Sequence, residues 1–428
     1  DVGSGKTVIV AIAGIVAAQN KKQTAFMAPT EVLARQHYKT LTRIFGNQHV
    51  GICLLTSGEA RSFYGENLEA KRQKSDLLKE IEEGKIKIII GTHALISSYK
   101  GKPVMFHDLA LAIIDEQHRF GVEQRAALVK QEKDKGSETT IHFLSMSATP
   151  IPRTLSLTLF GDLDLSIIDE LPKGRKPIIT KIVDPQNRSK AYDFIREHIK
   201  NGRQVFVIYP RIEPSNKEQS DEKIVTARQK VWNEVKAVKE EYEKLSKQVF
   251  PDLRVGMLHG KLKSAEKEKT MSAFATGELD ILVSTSVIEV GVDVPNATIM
   301  IIEGADRFGL SQLYQFRGRV GRSEYQSFCF LFTDSSSQTT HERLTALLEA
   351  KNGFELAEKD LAIRGPGQFL GDKQTGMPDI AMRALSNMEL IKTARSAAES
   401  TIKDDPELKN HKALKTKLIQ FQKQIHLE

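Results

Sequence analysis

Ala110-Leu111-Ala112-Ile113-Ile114-Asp115-Glu116-Gln117-His118-Arg119-Phe120-Gly121 is the stretch on which the reading of the chain turns. A short apolar run ends in two adjacent carboxylates and a histidine. Uninterrupted Leu and Ile over so few residues read as a strand buried on both faces, the pattern of a central strand in a parallel sheet. Open α/β sheets bind their ligands where such strands end. Two carboxylates placed there suit a magnesium ion and a water to be activated. A strand that simply ends in a solvated acidic turn has the same local pattern. What stands before and after it decides between the two.

Upstream, Asp1-Val2-Gly3-Ser4-Gly5-Lys6-Thr7 is a phosphate-binding loop lacking only its opening glycine. The strand that supports such a loop precedes it, so the sequence reads as a piece of a longer protein. The loop leads into an apolar helix over residues 8–18. Its backbone N–H groups and the helix N-terminus would cradle phosphates, with Lys6 reaching the β- and γ-phosphates and Thr7 ligating magnesium.

Between loop and acidic strand, the same layout recurs. Residues 24–27 form a strand running into Ala28-Pro29-Thr30, residues 51–55 one running into Thr56-Ser57-Gly58, and residues 86–90 one running into Gly91-Thr92-His93. Thr30 is also a good helix N-cap. Taken one by one these hydroxyls are caps; as a series they offer donors to a phosphodiester backbone. Residues 66–84 read as a charged amphipathic helix with Leu77, Leu78 and Ile81 inward, a solvated face.

After the acidic stretch, residues 141–144 form a strand leading to Ser145-Met146-Ser147-Ala148-Thr149-Pro150, and a helix resumes over 153–160. Strand and helix alternate throughout, as in a doubly wound α/β domain. A short basic linker, Leu171-Pro172-Lys173-Gly174-Arg175-Lys176-Pro177, ends it. A second α/β pattern follows: a helix over 189–201, then strands at 204–209, 255–258, 280–283, 297–302 and 327–333. Residues 217–248 read as a long charged helix with few apolar positions, a solvated insertion projecting from that domain. Beyond Ser335 the chain turns helical, and Arg364-Gly365-Pro366-Gly367-Gln368-Phe369-Leu370-Gly371 reads as a break between two helices of a hairpin.

Composition narrows the class without deciding it. The chain has 428 residues, enough for two or three domains, and a formal net charge of +7, a mild bias toward polyanions. No stretch is long and apolar enough to span a membrane, and no secretory signal opens the chain. Its two cysteines, Cys53 and Cys329, have no metal-binding spacing and read as reduced structural thiols of a cytoplasmic protein.

The second domain has no phosphate loop of its own, but it carries Gln315-Phe316-Arg317-Gly318-Arg319-Val320-Gly321-Arg322. Arg319 and Arg322 are three apart, so in a helical turn they share a face. Such a pair can be an ordinary nucleic-acid or surface contact. Facing a phosphate loop, it becomes a pair suited to a γ-phosphate, because the rigid guanidinium fork stabilises charge during phosphoryl transfer. The site would then lie in a cleft between two lobes.

This constellation resembles the two RecA-like lobes of a superfamily 2 helicase, and more narrowly the RecG family of branched-DNA helicases. The narrowing comes from Ala28-Pro29-Thr30-Glu31, Gly91-Thr92-His93-Ala94-Leu95, the acidic stretch through Gly121, and Val287-Ile288-Glu289-Val290-Gly291-Val292-Asp293-Val294-Pro295. The most specific piece is Asp360-Leu361-Ala362-Ile363-Arg364-Gly365-Pro366-Gly367-Gln368-Phe369-Leu370-Gly371. Transcription-repair coupling factor is similar too, but that family prefers Glu at Gln117 and Ala at Pro366.

The resemblance implies two RecA-like doubly wound parallel-sheet lobes of the P-loop NTPase class, 1–172 and 178–335 with the insertion 217–248, and a translocation hairpin with C-terminal helices over 336–428. It implies that Gly3, Ser4, Gly5, Lys6 and Thr7 bind ATP, with Gly291 and Asp293 completing the lobe-two side. Thr7 and Asp115 would hold Mg2+. Glu116 would be the base, with Arg319 and Arg322 as arginine fingers and Gln315 beside them. His118, Ser147 and Thr149 would couple nucleotide state to lobe movement. Thr30, Ser57, Thr92, Ser284 and Thr285 would touch DNA, and Arg343, Arg364 and Gln374 would belong to the hairpin. Expected partners are forks, Holliday junctions and double-stranded arms, and single-stranded DNA-binding protein; the expected state is a monomer. The sequence lacks the family's upstream wedge domain and adenine-recognition segment, and it carries the added insertion. Rival readings are a translocase acting on stalled RNA polymerase and a non-catalytic nucleic-acid clamp.

Overall fold

The computed structural model describes residues 3–46, 48–66, 68–97, 103–116, 141–147, 164–168, 170, 174–210, 238–285, 294–335, 337–370 and 388–424. Two sheets organise these residues. The first has seven strands in the order β4 (Glu69–Lys71), β3 (Ala60–Phe63), β2 (Ile52–Leu55), β5 (Ile88–Gly91), β1 (Gln23–Met27), β6 (Leu109–Asp115) and β7 (His142–Met146). From β2 to β7 every neighbour is parallel, whereas β3 and β4 add an antiparallel edge. The second has six strands, all parallel: β10 (Val255–Leu258), β11 (Ile281–Ser284), β9 (Gln204–Ile208), β12 (Ala297–Ile302), β13 (Phe328–Phe332) and β8 (Ile179–Val183).

The central strands are apolar at every position because both faces are covered, and the faces divide with the two-residue period of a strand. In the first sheet, Phe26 and Ile113 face Val10, Tyr38 and Leu41 from the helices Lys6–Gln19 and Glu31–Ile44. Ala25, Met27 and Ile114 face the other way, toward Leu77 and Ile81 of the helix Lys74–Glu82. The second sheet is covered on one side by Ala191, Ile195 and Ile199 of the helix Arg188–Lys200. On its other side lie Leu310, Leu313 and Phe316, then Leu344, Leu347 and Leu356 from the helical region that follows. That region therefore shares lobe two's core. Among the described residues no helix is long and apolar enough to cross a membrane.

Three expectations need correcting, and one further edge strand went unread. Residues 66–84 are not one helix: Glu69–Lys71 is a strand, and the helix begins at Lys74. Together with Ala60–Phe63 it forms an edge whose charged, half-exposed residues (Arg61, Glu69, Lys71) mask the strand signal. The edge strand Ile179–Val183 escaped for a similar reason, since exposed positions alternate along it. The end of the expected insertion is not solvated: Val238, Leu245 and Phe250 are buried against β9 and β11. Finally, the helix Gly353–Leu370 runs through Gly365, Pro366 and Gly367 and does not stop at them. Its packed first half, with Leu356, Ala357 and Leu361 buried, propagates past residues that carry low intrinsic propensity. The expected helix at 153–160 lies outside the described residues.

Candidate active site

The phosphate loop owes its shape to two glycines. Gly3 and Gly5 sit at φ +74° and +96°, a region where a side chain is strained. Gly5 then caps the helix Lys6–Gln19 with no side chain bonded to its first turn, as a loop that must present backbone N–H groups to an anion requires. Thr7 follows on the first turn of that helix.

Because the first sheet is parallel from β2 to β7, its strands all end at one edge. In sheet order that edge carries Ser57 after β2, Thr92 after β5, Thr30 after β1, Asp115 and Glu116 at the end of β6, and Ser147 after β7. The hydroxyl series and the acidic pair thus stand side by side. Asp115 and Glu116 are both buried. Glu116 has a φ of +52°, a conformation non-glycine residues seldom adopt, which turns the chain sharply off the strand. Its backbone N–H donates to Asp115 Oδ1 at 2.9 Å, and Ser147 Oγ lies 3.5 Å from Glu116 Oε2.

Lys6 ties both lobes to this point. Burial pushes its ammonium pKa below the ordinary lysine value; Glu116 and Asp115 pull it back up, and Arg319 and Arg322 push it further down. Two carboxylates of lobe one and two guanidinium groups of lobe two therefore act on one ammonium. The arginines reach it from an unexpected geometry. The helix Leu310–Arg317 ends at Gly318, and Gly321 sits at φ +74°, so Arg319 and Arg322 lie in the turn beyond the helix and not on one helical face. Gln315 is on that helix and buried; its Oε1 has no hydrogen-bond partner among the described residues.

Two residues missed in the sequence join the site. His37 Nε2 donates to Asp115 Oδ2 at 2.8 Å, and both are buried. Its signal was a polar residue on the apolar face that Leu33, Ala34, Tyr38 and Leu41 define. Arg175, from the basic linker, donates through Nε to the Gly321 carbonyl at 2.5 Å, and a Cβ on Gly3 would lie 2.9 Å from its Nη1. It stands between the phosphate loop and the turn that carries Arg322. Asp115 and the Thr7 hydroxyl are hard oxygen donors, and each Asp115 oxygen keeps a lone-pair site beyond its one bond here. That donor set fits magnesium, which takes one or two carboxylates together with phosphate oxygens.

The remaining expected residues divide. Thr30 caps the helix Glu31–Ile44, accepting from the Leu33 N–H at 3.3 Å. Ser57 donates its hydroxyl proton to Glu31 at 2.6 Å, and the Gly58 N–H donates to the same oxygen at 3.0 Å. Ser284 and Thr285, at the end of β11, are buried. Arg343 donates to the carbonyls of Asp306 and Phe308, and Arg364 pairs with Asp360 at 2.8 Å. His118, Thr149, Gly291, Asp293 and Gln374 lie outside the described residues.

Three families match in chain order: DEAD/DEAH box helicase over residues 1–158, helicase conserved C-terminal domain over 190–324, and ATP-dependent DNA helicase RecG, domain 3, C-terminal, over 350–425. The ATP-dependent DNA helicase RecG of Synechocystis is 48% identical over 421 residues, covering 98% of this chain and 46% of that protein. The chain belongs to the RecG family. The Bacillus subtilis RecG is 45% identical, covering 95% of this chain and 54% of its own length. This chain therefore spans about half the length of the curated relatives it matches. A solved structure of a RecG bound to a three-way DNA junction superposes with a TM-score of 0.66 at 37% identity, over 92% of this chain and 46% of that one. The yeast protein Dbp5 bound to RNA and ADP BeF3 matches with a TM-score of 0.53 at 15% identity, a likeness of fold alone.

Proposed function

We propose that the chain is the motor portion of an ATP-dependent DNA helicase that remodels branched DNA, reversing forks and migrating Holliday junctions. The observation that carries this reading is the convergence on Lys6 of Asp115 and Glu116 from lobe one and Arg319 and Arg322 from lobe two. Phosphoryl transfer asks the protein for positioning and charge stabilisation more than for covalent chemistry. Lys6 and the loop N–H groups hold the phosphates, Glu116 takes the proton of the attacking water, and the arginines offset the charge that develops on the γ-phosphate. Thr7 and Asp115 would hold Mg2+, which supplies further charge neutralisation when bound. Hydrolysis then removes the group that the two lobes jointly grip, and the lobes separate.

Membership of the RecG family and the likeness to a junction-bound RecG support DNA, and branched DNA in particular, as the substrate. Ser57, Thr92 and Thr30 line the edge beside Asp115 and are the proposed track for the phosphate backbone. Arg343, Arg364 and Gln374 are proposed to couple the hairpin to it. Two buried free thiols, Cys53 and Cys329, suit a reducing compartment, and we place the protein in the cytoplasm as a monomer that meets single-stranded DNA-binding protein at forks.

ATPase activity of this chain, with and without a model fork and beside a version extended upstream, tests the reading. Stimulation by the fork over linear duplex supports it. ATP hydrolysis indifferent to DNA structure in both versions overturns the branched-DNA assignment, and nucleotide binding without turnover in both favours a non-catalytic clamp.

A further inference from the structure

Asp115 is pinned at both oxygens. Oδ1 accepts the Glu116 backbone N–H at 2.9 Å, and Oδ2 accepts His37 Nε2–H at 2.8 Å. His37 comes from a different element, the helix Glu31–Ile44, and its ring packs 4.5 Å from that of Phe26 on the adjacent strand β1. The side chains of His37 and Asp115 are only 7% and 9% exposed.

We propose that His37 is a positioning residue for the Asp115 carboxylate, setting the oxygen geometry that the nucleotide's magnesium ion meets. The proposal deepens the reading of Asp115 as a metal ligand and rests on it. His37 touches no reacting group, because Asp115 stands between. Anchoring a helix to a sheet does not require such a pair: neighbouring positions on the same face use Leu33, Ala34, Tyr38 and Leu41, whereas an apolar residue at 37 would leave the buried Asp115 carboxylate with one hydrogen-bond donor fewer. What the histidine adds is direction. A carboxylate bonded at one oxygen can still swing about its last side-chain bond, whereas one bonded at both cannot. Partners of this kind orient metal ligands, and losing one weakens metal binding without removing the ligand itself.

The placement has a second consequence. The helix that holds His37 is capped by Thr30, seven residues earlier, roughly 10 Å along the axis at 1.5 Å per residue. A shift of that helix, wherever it originates along its length, reaches the metal site as a movement of one hydrogen-bond donor.

The test measures binding of a fluorescent ADP analogue to the whole chain in Mg2+ and in EDTA. The parent should bind more tightly with Mg2+. His37→Phe fills the core with a ring but lacks the donor; it should lose about tenfold or more of that metal-dependent gain while its EDTA affinity stays within about twofold. His37→Gln, which can still donate an N–H, should recover part of the gain at an unchanged melting temperature. A His37→Phe chain that melts like the parent and keeps the full gain overturns the inference alone. So does equal weakening in Mg2+ and EDTA, which would mark His37 as a structural support. A parent with no gain overturns the reading of Asp115 as a metal ligand, and this inference with it.

Discussion

Arg364 Nε lies 2.8 Å from Asp360 Oδ1, one turn earlier on the helix Gly353–Leu370, and Asp360 is buried. A Cβ on Gly309 would stand 3.6 Å from Arg364 Nη2, while Arg343 bonds the carbonyls of Asp306 and Phe308. Both arginines expected of the hairpin therefore border the same turn. That turn opens the helix Leu310–Arg317, which carries Gln315 and leads directly to Arg319 and Arg322. The helical region that follows lobe two and the arginines near Lys6 are separated by one short helix.

Replacing Arg364 by Ala should consequently impair fork unwinding more than ATP hydrolysis. The arginines beyond Gly318 keep their own turn, but the movement they undergo is no longer tied to the hairpin. Steady-state ATPase and fork unwinding on one preparation check this. Equal loss of both would mean that the pair serves only to hold the fold.

The same variant should show a pH-dependent cost in stability. Burial pushes the Asp360 carboxyl above the ordinary aspartate value, and Arg364 offsets part of that push. A carboxyl raised on folding leaves the folded chain binding more protons, so stability falls as pH rises from the unfolded value through the folded one. Without Arg364 the upward push is larger. Loss of one partner of a buried pair costs ~3–5 kcal/mol when both are fully desolvated; with Arg364 33% exposed, about 1–3 kcal/mol is expected near neutral pH. The gap in melting temperature between parent and variant should be small at acid pH, where Asp360 is protonated in both, and widest at neutral pH. A gap that stays constant would mean that Asp360 does not titrate differently without Arg364.

Glu116→Gln should keep nucleotide affinity and lose most turnover. The amide preserves the volume and the backbone turn at φ +52°, but it cannot take a proton from water. Single-turnover hydrolysis beside equilibrium binding separates the two effects. Near-normal hydrolysis would remove Glu116 from the role of base.

The parallel core of each lobe was legible in the sequence because both faces of its strands are buried, which writes unbroken apolar runs such as Ala112-Ile113-Ile114. The antiparallel pair beside β2 and the outermost strand β8 were not. Ala60–Phe63, Glu69–Lys71 and Ile179–Val183 each interleave polar or charged residues, which resemble those of a helix face or a loop. At the site, the glycines and charges of the phosphate loop, Asp115, Glu116 and the arginine pair could be read because chemistry demands those residue types at short spacing. His37 could not, since its partner is 78 positions away and only the sheet brings them together. Arg175 stands in the basic linker, where a basic residue needs no special reason; its role depends on the return of the chain at Gly321.

Arg322→Ala should lose turnover by a factor on the order of 10³ or more if it acts as a finger on the γ-phosphate. Its charge reaches Lys6 from the other lobe, so nucleotide binding to lobe one should change far less than hydrolysis. Arg319→Ala should fall in the same direction, with an added cost in stability because Arg319 is nearly buried. Hydrolysis that survives both substitutions would assign the pair to another partner.

Gly91→Ala supplies a test of the lobe-one sheet edge itself. Gly91 ends β5, between Leu55 of β2 and Met27 of β1, and a Cβ there would overlap the Leu55 carbonyl oxygen and press on the Leu95 side chain. Neither neighbour can yield cheaply, because Leu55 belongs to a strand paired on both sides and the Leu95 side chain is fully buried. Overpacking of this kind costs about 1–3 kcal/mol, and the backbone oxygen puts Gly91→Ala at the upper end. In urea the midpoint should fall with the slope unchanged. Gly260→Ala is the control: no atom lies within 4 Å of its added Cβ, and a shift within about 0.5 kcal/mol is expected. If the two variants melt alike, the close approach of β5 to β2 at Gly91 is not what requires glycine there. The strain would also displace Thr92, the next residue, so fork-stimulated ATPase should fall in Gly91→Ala at temperatures where the variant is still fully folded.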